Sequence, residues 1–491
     1  MAGLITFLIL IPLAGALALW IGKPRNTRVV TLGFQALAIF YVLLIWRRFD
    51  STSGLPQLVE QYPWIPALKA DYFVGADGLS LLLLLLTSLV FPFAILAQRG
   101  SRGLNALMLV MQAALYGTFT AQSFVLWFVF YEMSLIPAFL LIRLWGGEKR
   151  DRASTKFFVY TFFGSVAMLL GFVALYVERH TFDFRLLVLL HQTMPPLSPV
   201  VGWLAFAGIF LGLAVKVPLF PFHTWLPDAY ETAPVGVSMV LTGALSKMGL
   251  YGFLRFLVPL FPDQIRIAGP WLLTLAVCSI LFSALAAWAQ KDLKRMVAYL
   301  SINHLGYCLL ALFAITAAEN RNLGNMQDAF SGVFLQIFNH GITAAALFYY
   351  VGLLEERRGA RSLNDFGGLM QRAPLLCGWM SVAMFSSLGL PGLNGFIGEF
   401  LIFKGSFAAT ASFTAVAVLG LLFTAIVFLQ AMQSLFSGPL SASCSAFPDL
   451  LRREAFVVVP VTILMLIIGI APEFLFKMVS ETVTHMARVL S

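Results

Sequence analysis

Apolar runs of roughly 20 residues recur along this chain from residue 3 to residue 476, and each is long enough to cross a bilayer core of about 30 Å as a helix. In hydrocarbon every backbone N–H and C=O must be bonded within the structure, so only helices and closed β-barrels span a membrane. A barrel would read as shorter segments of alternating polarity, and the runs here are continuous. Composition agrees: 60% of the 491 residues are hydrophobic and 11% charged, against about 25% charged in soluble domains. The expected fold class is therefore all-α and polytopic.

About fourteen spans are expected, over residues 3–22, 29–46, 78–97, 104–121, 123–144, 156–177, 201–222, 236–258, 271–289, 297–316, 329–353, 375–403, 409–436 and 455–476. The first run has no basic leader and no small-residue cleavage site before "KPRNTR", so it reads as a retained helix. The longest stretches outside the spans, 47–77, 178–200 and 354–373, are too short for separate soluble domains.

The formal net charge of +9 does not point to nucleic acid, because the basic residues sit in short loops between apolar runs. One alternate set of loops holds Lys23, Arg25, Arg28, Arg99, Arg102, Lys149, Arg150 and Arg152 and continues through Lys291, Arg295, Arg357, Arg361 and Arg453. The opposite set, from Arg47, Arg48 and Lys69 to Arg266 and Arg321, is sparser. The positive-inside rule then places both termini on the non-cytoplasmic side. Cys278, Cys308, Cys377 and Cys444 are scattered without a CxxC pair, which indicates no metal site, iron–sulfur centre or disulfide framework.

Two segments about 175 residues apart share one pattern, an apolar helix interrupted by Pro and Gly at membrane depth: "AVKVPLFPFHTWLP" and "SLGLPGLNGFIGEFLIF". Paired interrupted helices are the sequence pointer to an inverted-repeat transporter. The expected division is residues 1–103 for three N-terminal spans, 104–258 and 271–436 for two five-helix repeats, and 437–491 for a closing span. Five is odd, so the second repeat is inverted.

An ionisable group within a membrane segment is expensive and is a functional hypothesis by default. Six stand out: Glu132 in "FVFYEMSLIPAF", Lys216 in the first interruption, Lys247 in "LTGALSKMGLYGF", His304 in "LSINHLGY", His340 in "QIFNHGITAA" and Glu399 after the second interruption. Glu132 and Lys216 fit either a static ion pair or a switchable proton site, since a desolvated lysine beside a carboxylate shifts its proton affinity readily. The histidines suit a relay, or equally a polar contact between helices. His223 and Asp228 read as capping or anchoring groups at the end of the first break.

Three stretches, "YEMSLIPAFLLIRLWGG", "FHTWLPDAYETAPVGVSMVLTGALSKMGLYGFLRF" and "AQKDLKRMVAYLSINHLGY", resemble the antiporter-like membrane subunits of respiratory complex I, and the similarity covers nearly the whole chain. Among those subunits "LPGLNGFIGEFLI" is similar to the chain M type, which has glutamate where chains L and N and Mrp antiporter subunits usually have lysine. The resemblance implies an ion-pair switch of Glu132 and Lys216, a central Lys247, a connecting relay of His304 and His340, and terminal proton exchange at Glu399. None of the six positions departs from the family's pattern. It also implies a redox-inactive, proton-translocating subunit of an NADH-quinone oxidoreductase that binds no cofactor itself. NADH, FMN, iron–sulfur clusters and quinone belong to other subunits, and the neighbours are chains L and N in a bacterial inner membrane or a thylakoid-type one. A sodium/proton antiporter subunit of the Mrp type, and a subunit of a related hydrogenase or ferredoxin-linked complex, are the alternatives.

Overall fold

The computed structural model describes residues 3–98, 100–319 and 322–490; Arg99 and Arg321, two of the loop residues weighed for orientation, lie outside the described residues. Helices α1 (Leu4–Gly22) and α2 (Thr27–Arg48) lead into a hairpin of β1 (Gln57–Ile65) and β2 (Ala70–Ala76). Then follow α3 (Gly78–Ala97), α4 (Arg102–Thr120), α5 (Phe124–Trp145) and α6 (Arg150–Arg179), with the short α7 (Phe184–Thr193) after them. The first interrupted helix is α8 (Pro199–Lys216) and α9 (Trp225–Thr232), followed by α10 (Val235–Leu260). Next come α11 (Pro262–Trp288), α12 (Leu293–Ala317) and α13 (Leu323–Arg358), then the second interrupted helix, α14 (Pro374–Ser387) and α15 (Asn394–Ala409). The chain closes with α16 (Ala411–Phe436), α17 (Arg452–Ile470) and α18 (Glu473–Leu490).

Among the described residues, 12 helices are long and apolar enough to cross a membrane, against the fourteen spans expected. Two expected spans account for the difference. Helix α4 is almost wholly buried and carries Asn105, Gln112, Thr118 and Thr120, polarity that a lipid-facing helix would not hold. The span expected at 375–403 is two half-helices. The chain also departs from all-α: "QLVEQYPWI" and "ADYFVGA" pair antiparallel, rich in β-branched and aromatic residues that suit a half-buried ladder. Glu60 of that hairpin accepts the N–H groups of Ile5 at 2.8 Å and Thr6 at 3.3 Å, capping α1. The final expected span ends at Ile470, and α18 is a separate amphipathic helix that buries Leu475, Met478, Val479, Val483 and Ala487.

Loop contacts define two faces. Val74 bridges Ala121, Ser123 bridges Asp183, and Gly78 N donates to Thr482 Oγ1 at 2.9 Å, so the hairpin, α7 and α18 share one face, here the hairpin face. On the opposite, basic face Asp292 bridges Ser362 and Gly147 N donates to Thr232 O. Ion pairs knit that face together. Asp228 bridges Lys156 at 2.7 Å and Arg295 at 2.8 Å, the anchoring role its position implied, and Arg361 reaches Asp292 at 2.5 Å and Glu355 at 3.0 Å.

Helices α10 and α13 are buried all round, α12 nearly so, whereas α1, α2, α16 and α17 turn most of their surface outward. The two central helices cross through glycine. A Cβ on Gly341 would meet Gly243 O at 2.7 Å, and one on Gly243 would meet Gly341 O at 3.1 Å. Such small-residue crossings let backbones approach where lipid supplies no hydrophobic drive for association. This approach brings Lys247 to His340.

Candidate proton-transfer site

Lys247 lies on α10 just after a π-helical turn, Leu241–Leu245. The wider turn leaves the Thr242 carbonyl free to accept the lysine ammonium at 2.7 Å; Ser246 Oγ lies at 3.2 Å and His340 Nδ1 at 2.6 Å. Lys247 is fully buried. An ammonium donates only, so Nδ1 of His340 accepts and the ring proton sits on Nε2, which has no hydrogen-bond partner.

His340 is 6% exposed and its ring centroid lies 5.4 Å from that of His304. His304 places Nε2 3.1 Å from Ser387 Oγ and Nδ1 3.0 Å from Glu399 Oε1, the latter contact lacking the alignment of a hydrogen bond. Gln336 donates to the same Glu399 oxygen at 3.2 Å. A cavity of about 10 Å³, bordered by His304, His340, Asn339, Thr343, Ser387 and Glu399, joins these groups and has about the room of one water. Lys247, His340, His304 and Glu399 thus form one buried row across α10, α13, α12 and α15.

The second break is built by side chains as well as glycines. Asn339 Nδ2 donates to Asn394 O at 2.6 Å, and Asn394 Nδ2 returns a bond to Asn339 O at 3.3 Å and one to Thr343 Oγ1 at 3.2 Å. These bonds tie the start of α15 to α13, while the break's own backbone is satisfied by turns, Gly389 N donating to Ser386 O at 3.2 Å and Leu390 N to Phe385 O at 3.1 Å, as low dielectric demands. Gly389 takes a left-handed φ of +78°, and a Cβ there would sit 2.6 Å from Glu399 Oε2. Glycine lets the carboxylate lie against the break.

At the first break the carbonyl of Val215 accepts Trp225 Nε1 at 2.9 Å, and Phe220 N reaches Ser279 Oγ at 3.3 Å. Lys216 is 1% exposed, with Nζ 4.7 Å above the Tyr131 ring, a cation–π contact. Glu132 is the next residue along α5 and is only half-buried, and its Oε1 has no hydrogen-bond partner. Among the described residues no ion pair joins Glu132 to Lys216. The two are electrostatic neighbours, with Ser165 beside the carboxylate. Helices α8 and α10 pack where Gly249 admits Val217 and Gly252 admits Leu213, which places Lys216 and Lys247 on adjoining helices.

Of the six residues singled out from sequence, the structure gathers four in one row and leaves Glu132 and Lys216 as a separate, unjoined couple. Gln336, Asn339, Thr343 and Ser387 were not singled out. Three of them were findable: Gln336, Asn339, His340 and Thr343 fall at i, i+3, i+4 and i+7, a polar stripe on an otherwise apolar span.

A buried lysine, two histidines and a carboxylate linked across four helices fit the sequence profile described as NADH:quinone oxidoreductase/Mrp antiporter, transmembrane, which matches residues 121–424. The chain belongs to that family. An NADH-quinone oxidoreductase subunit M of Rickettsia conorii is 34% identical over 470 residues, 94% of this chain and 93% of the relative. The F(420)H(2) dehydrogenase subunit M of Methanosarcina mazei is 36% identical over 506 residues, 98% of each. A chain of respiratory complex I from Thermus thermophilus superposes with a TM-score of 0.90 at 30% identity, covering 99% of this chain and 100% of that one. Family membership therefore extends to the whole length of the chain, including the spans outside the matched profile.

Proposed function

We propose that the chain is the M-type membrane subunit of a proton-pumping NADH-quinone oxidoreductase. In this reading it carries protons along Lys247, His340, His304 and Glu399 while quinone is reduced elsewhere in the complex. The observation that carries the reading is the buried row itself. Four titratable groups are desolvated at membrane depth, each within contact or one water of the next, and a group that costs so much to bury is retained for proton transfer. Lys216 and Glu132 form the switch at the other end: when the carboxylate approaches, the ammonium is favoured, and when it withdraws, desolvation expels the proton.

The repeats follow the same logic. Residues 104–258 and 271–436 each contain one interrupted helix; α4 runs from the basic face to the hairpin face and α11 the opposite way, so the second five-helix unit is inverted. Residues 1–103 and 437–491 flank them. The basic face is cytoplasmic, which puts both termini on the other side of a bacterial inner or thylakoid-type membrane. NADH, FMN, iron–sulfur clusters and quinone are held by other subunits. Chains L and N and lipid cover the lateral surface, where Trp271 and Phe456 are each 76% exposed. The Methanosarcina relative serves a dehydrogenase of F(420)H(2), so the proton row is compatible with more than one electron donor.

The test is Lys247→Ala in the assembled complex, with reductase turnover and proton uptake into inverted vesicles measured together. Loss of both, with assembly intact, supports the relay. Unchanged pumping would remove Lys247 from the path and the proposal with it.

A further inference from the structure

A cavity of about 280 Å³ opens at the hairpin face, lined among others by Asp77, Gln122, Arg185, Arg255, Thr482 and His485. Helix α10 runs from it to Lys247, and Lys247, Tyr251 and Arg255 follow at i, i+4 and i+8, roughly 12 Å from first to last along the axis. Arg255 reaches Asp77 Oδ1 at 2.5 Å and Ser80 Oγ at 3.1 Å, and its guanidinium lies 5.2 Å from the Tyr251 ring. Tyr251 is fully buried, with Phe119 at its edge, and its hydroxyl has no hydrogen-bond partner. Asp77 is 1% exposed and also caps α3 through Ser80 N at 3.0 Å.

Stability does not account for a buried ion pair here, since such pairs are often matched by apolar residues of similar volume. Its place is more telling. The Lys247 ammonium points away, toward Thr242 and His340, and Tyr251 follows it one turn nearer the pair on the same helix. A proton leaving Lys247 straight toward the hairpin face would need a base at the cavity. Asp77 is the sole carboxylate among the described lining residues, and it is already held by Arg255 and Ser80. Protonating it would leave Arg255, which cannot release a proton and is only partly exposed, without its carboxylate partner. That penalty lowers occupancy by about tenfold. His485 is the other base in the lining, and burial holds its proton affinity below the ordinary value, which makes it a weak acceptor.

We propose that the Asp77–Arg255 pair, backed by Tyr251, is a seal that denies protons on Lys247 a direct exit to the hairpin face and so commits them to His340, His304 and Glu399. The seal rests on the relay reading above, and the two are separable.

The experiment uses the whole complex reconstituted in liposomes, following decay of an imposed pH gradient without electron donor. Arg255→Gln removes the cation that holds Asp77 and leaves the carboxylate, with its cap on α3, free to take a proton. Decay is expected to accelerate about tenfold, the penalty that the pair imposes, and adding Lys247→Ala is expected to restore the tight rate. Arg255→Lys, which keeps the cation, should stay tight. An unchanged decay rate overturns the seal, as does a leak indifferent to Lys247. Should the Arg255→Gln variant fail to assemble, Tyr251→Phe decides: full pumping in a tight membrane is expected, and a loss of pumping without leak would make the row a conducting route. Normal pumping by Lys247→Ala alone strikes the relay reading, whereas a tight Arg255→Gln variant strikes only the seal.

Discussion

The half-helix before the first break ends in a lysine that, among the described residues, pairs with no carboxylate, whereas the half-helix after the second break carries a carboxylate beside His304 and Gln336. The first break satisfies freed backbone through the side chains of Trp225 and Ser279, the second through its own turns, and both place one ionisable group at membrane depth. They differ in electrostatic state. From Lys247 to Glu399 the groups follow one another by hydrogen bond, ring contact and ion contact, while between Lys247 and Lys216 the helices meet through Gly249 and Val217. A chain whose two ends are in opposite states can hand a proton along one side while the other waits, which a symmetric, fully engaged row cannot do.

The sharpest challenge to that contrast is at the engaged end. Glu399→Gln removes the carboxylate proposed as the terminal proton site but keeps a group that hydrogen-bonds Gln336, so the complex should assemble while proton uptake falls by about two orders of magnitude, the scale of a positioned proton-transfer group. Uptake near wild type would mean that the His304–Glu399 contact is structural. At the other end Lys216→Ala is expected to lower reductase turnover and proton uptake together, by about tenfold. That smaller loss follows because its contact with the row is indirect. If both rates hold, the unjoined couple of Glu132 and Lys216 plays no part.

The breaks themselves should also respond unequally. A Cβ on Gly395 would lie 1.9 Å from the Ser386 carbonyl, backbone against backbone, so Gly395→Ala must shift the second break. The expected cost is roughly 1–3 kcal/mol, the range for overpacking, read as a lowered midpoint for thermal dissociation of the complex. Gly147, in a basic-face loop, has its nearest such neighbour at 3.8 Å, and Gly147→Ala should change the midpoint little.

Much of this contrast was legible in the sequence because charge in hydrocarbon is conspicuous. Lys216, Lys247, His304, His340, Glu132 and Glu399 each stand out against apolar neighbours, and the Pro/Gly interruptions mark the breaks. What joins them was not legible. The π turn before Lys247 has no signature in "LTGALSK", because an extra residue in a helical turn is set by packing of α10 against α3 and α13. The crossing of Gly243 and Gly341 is a coincidence in space between positions far apart in the chain. The hairpin was hidden for another reason: residues 47–77 are mixed in polarity, and long-range contacts, Glu60 with the start of α1 and Val74 with Ala121, fix where the strands lie. Helix α4 falls outside the twelve because its polar residues lower its hydropathy, and burial does not bar a span, since α10 and α13 are buried all round and are counted.

The finest probe of the comparison is a pair of double-mutant cycles read from thermal stability of the assembled, resting complex. His304 and Glu399 are in contact and nearly inaccessible, so their coupling should fall within about 0.5–3 kcal/mol, as measured for neighbouring residues. Among the described residues Glu132 and Lys216 form no ion pair, so coupling there should be below about 0.5 kcal/mol. Raising the Glu132–Lys216 coupling to the level of the other pair under turnover conditions would show the switch closing. Equal coupling at rest would break the contrast, because the first end would then be engaged like the second and the row would have no waiting side.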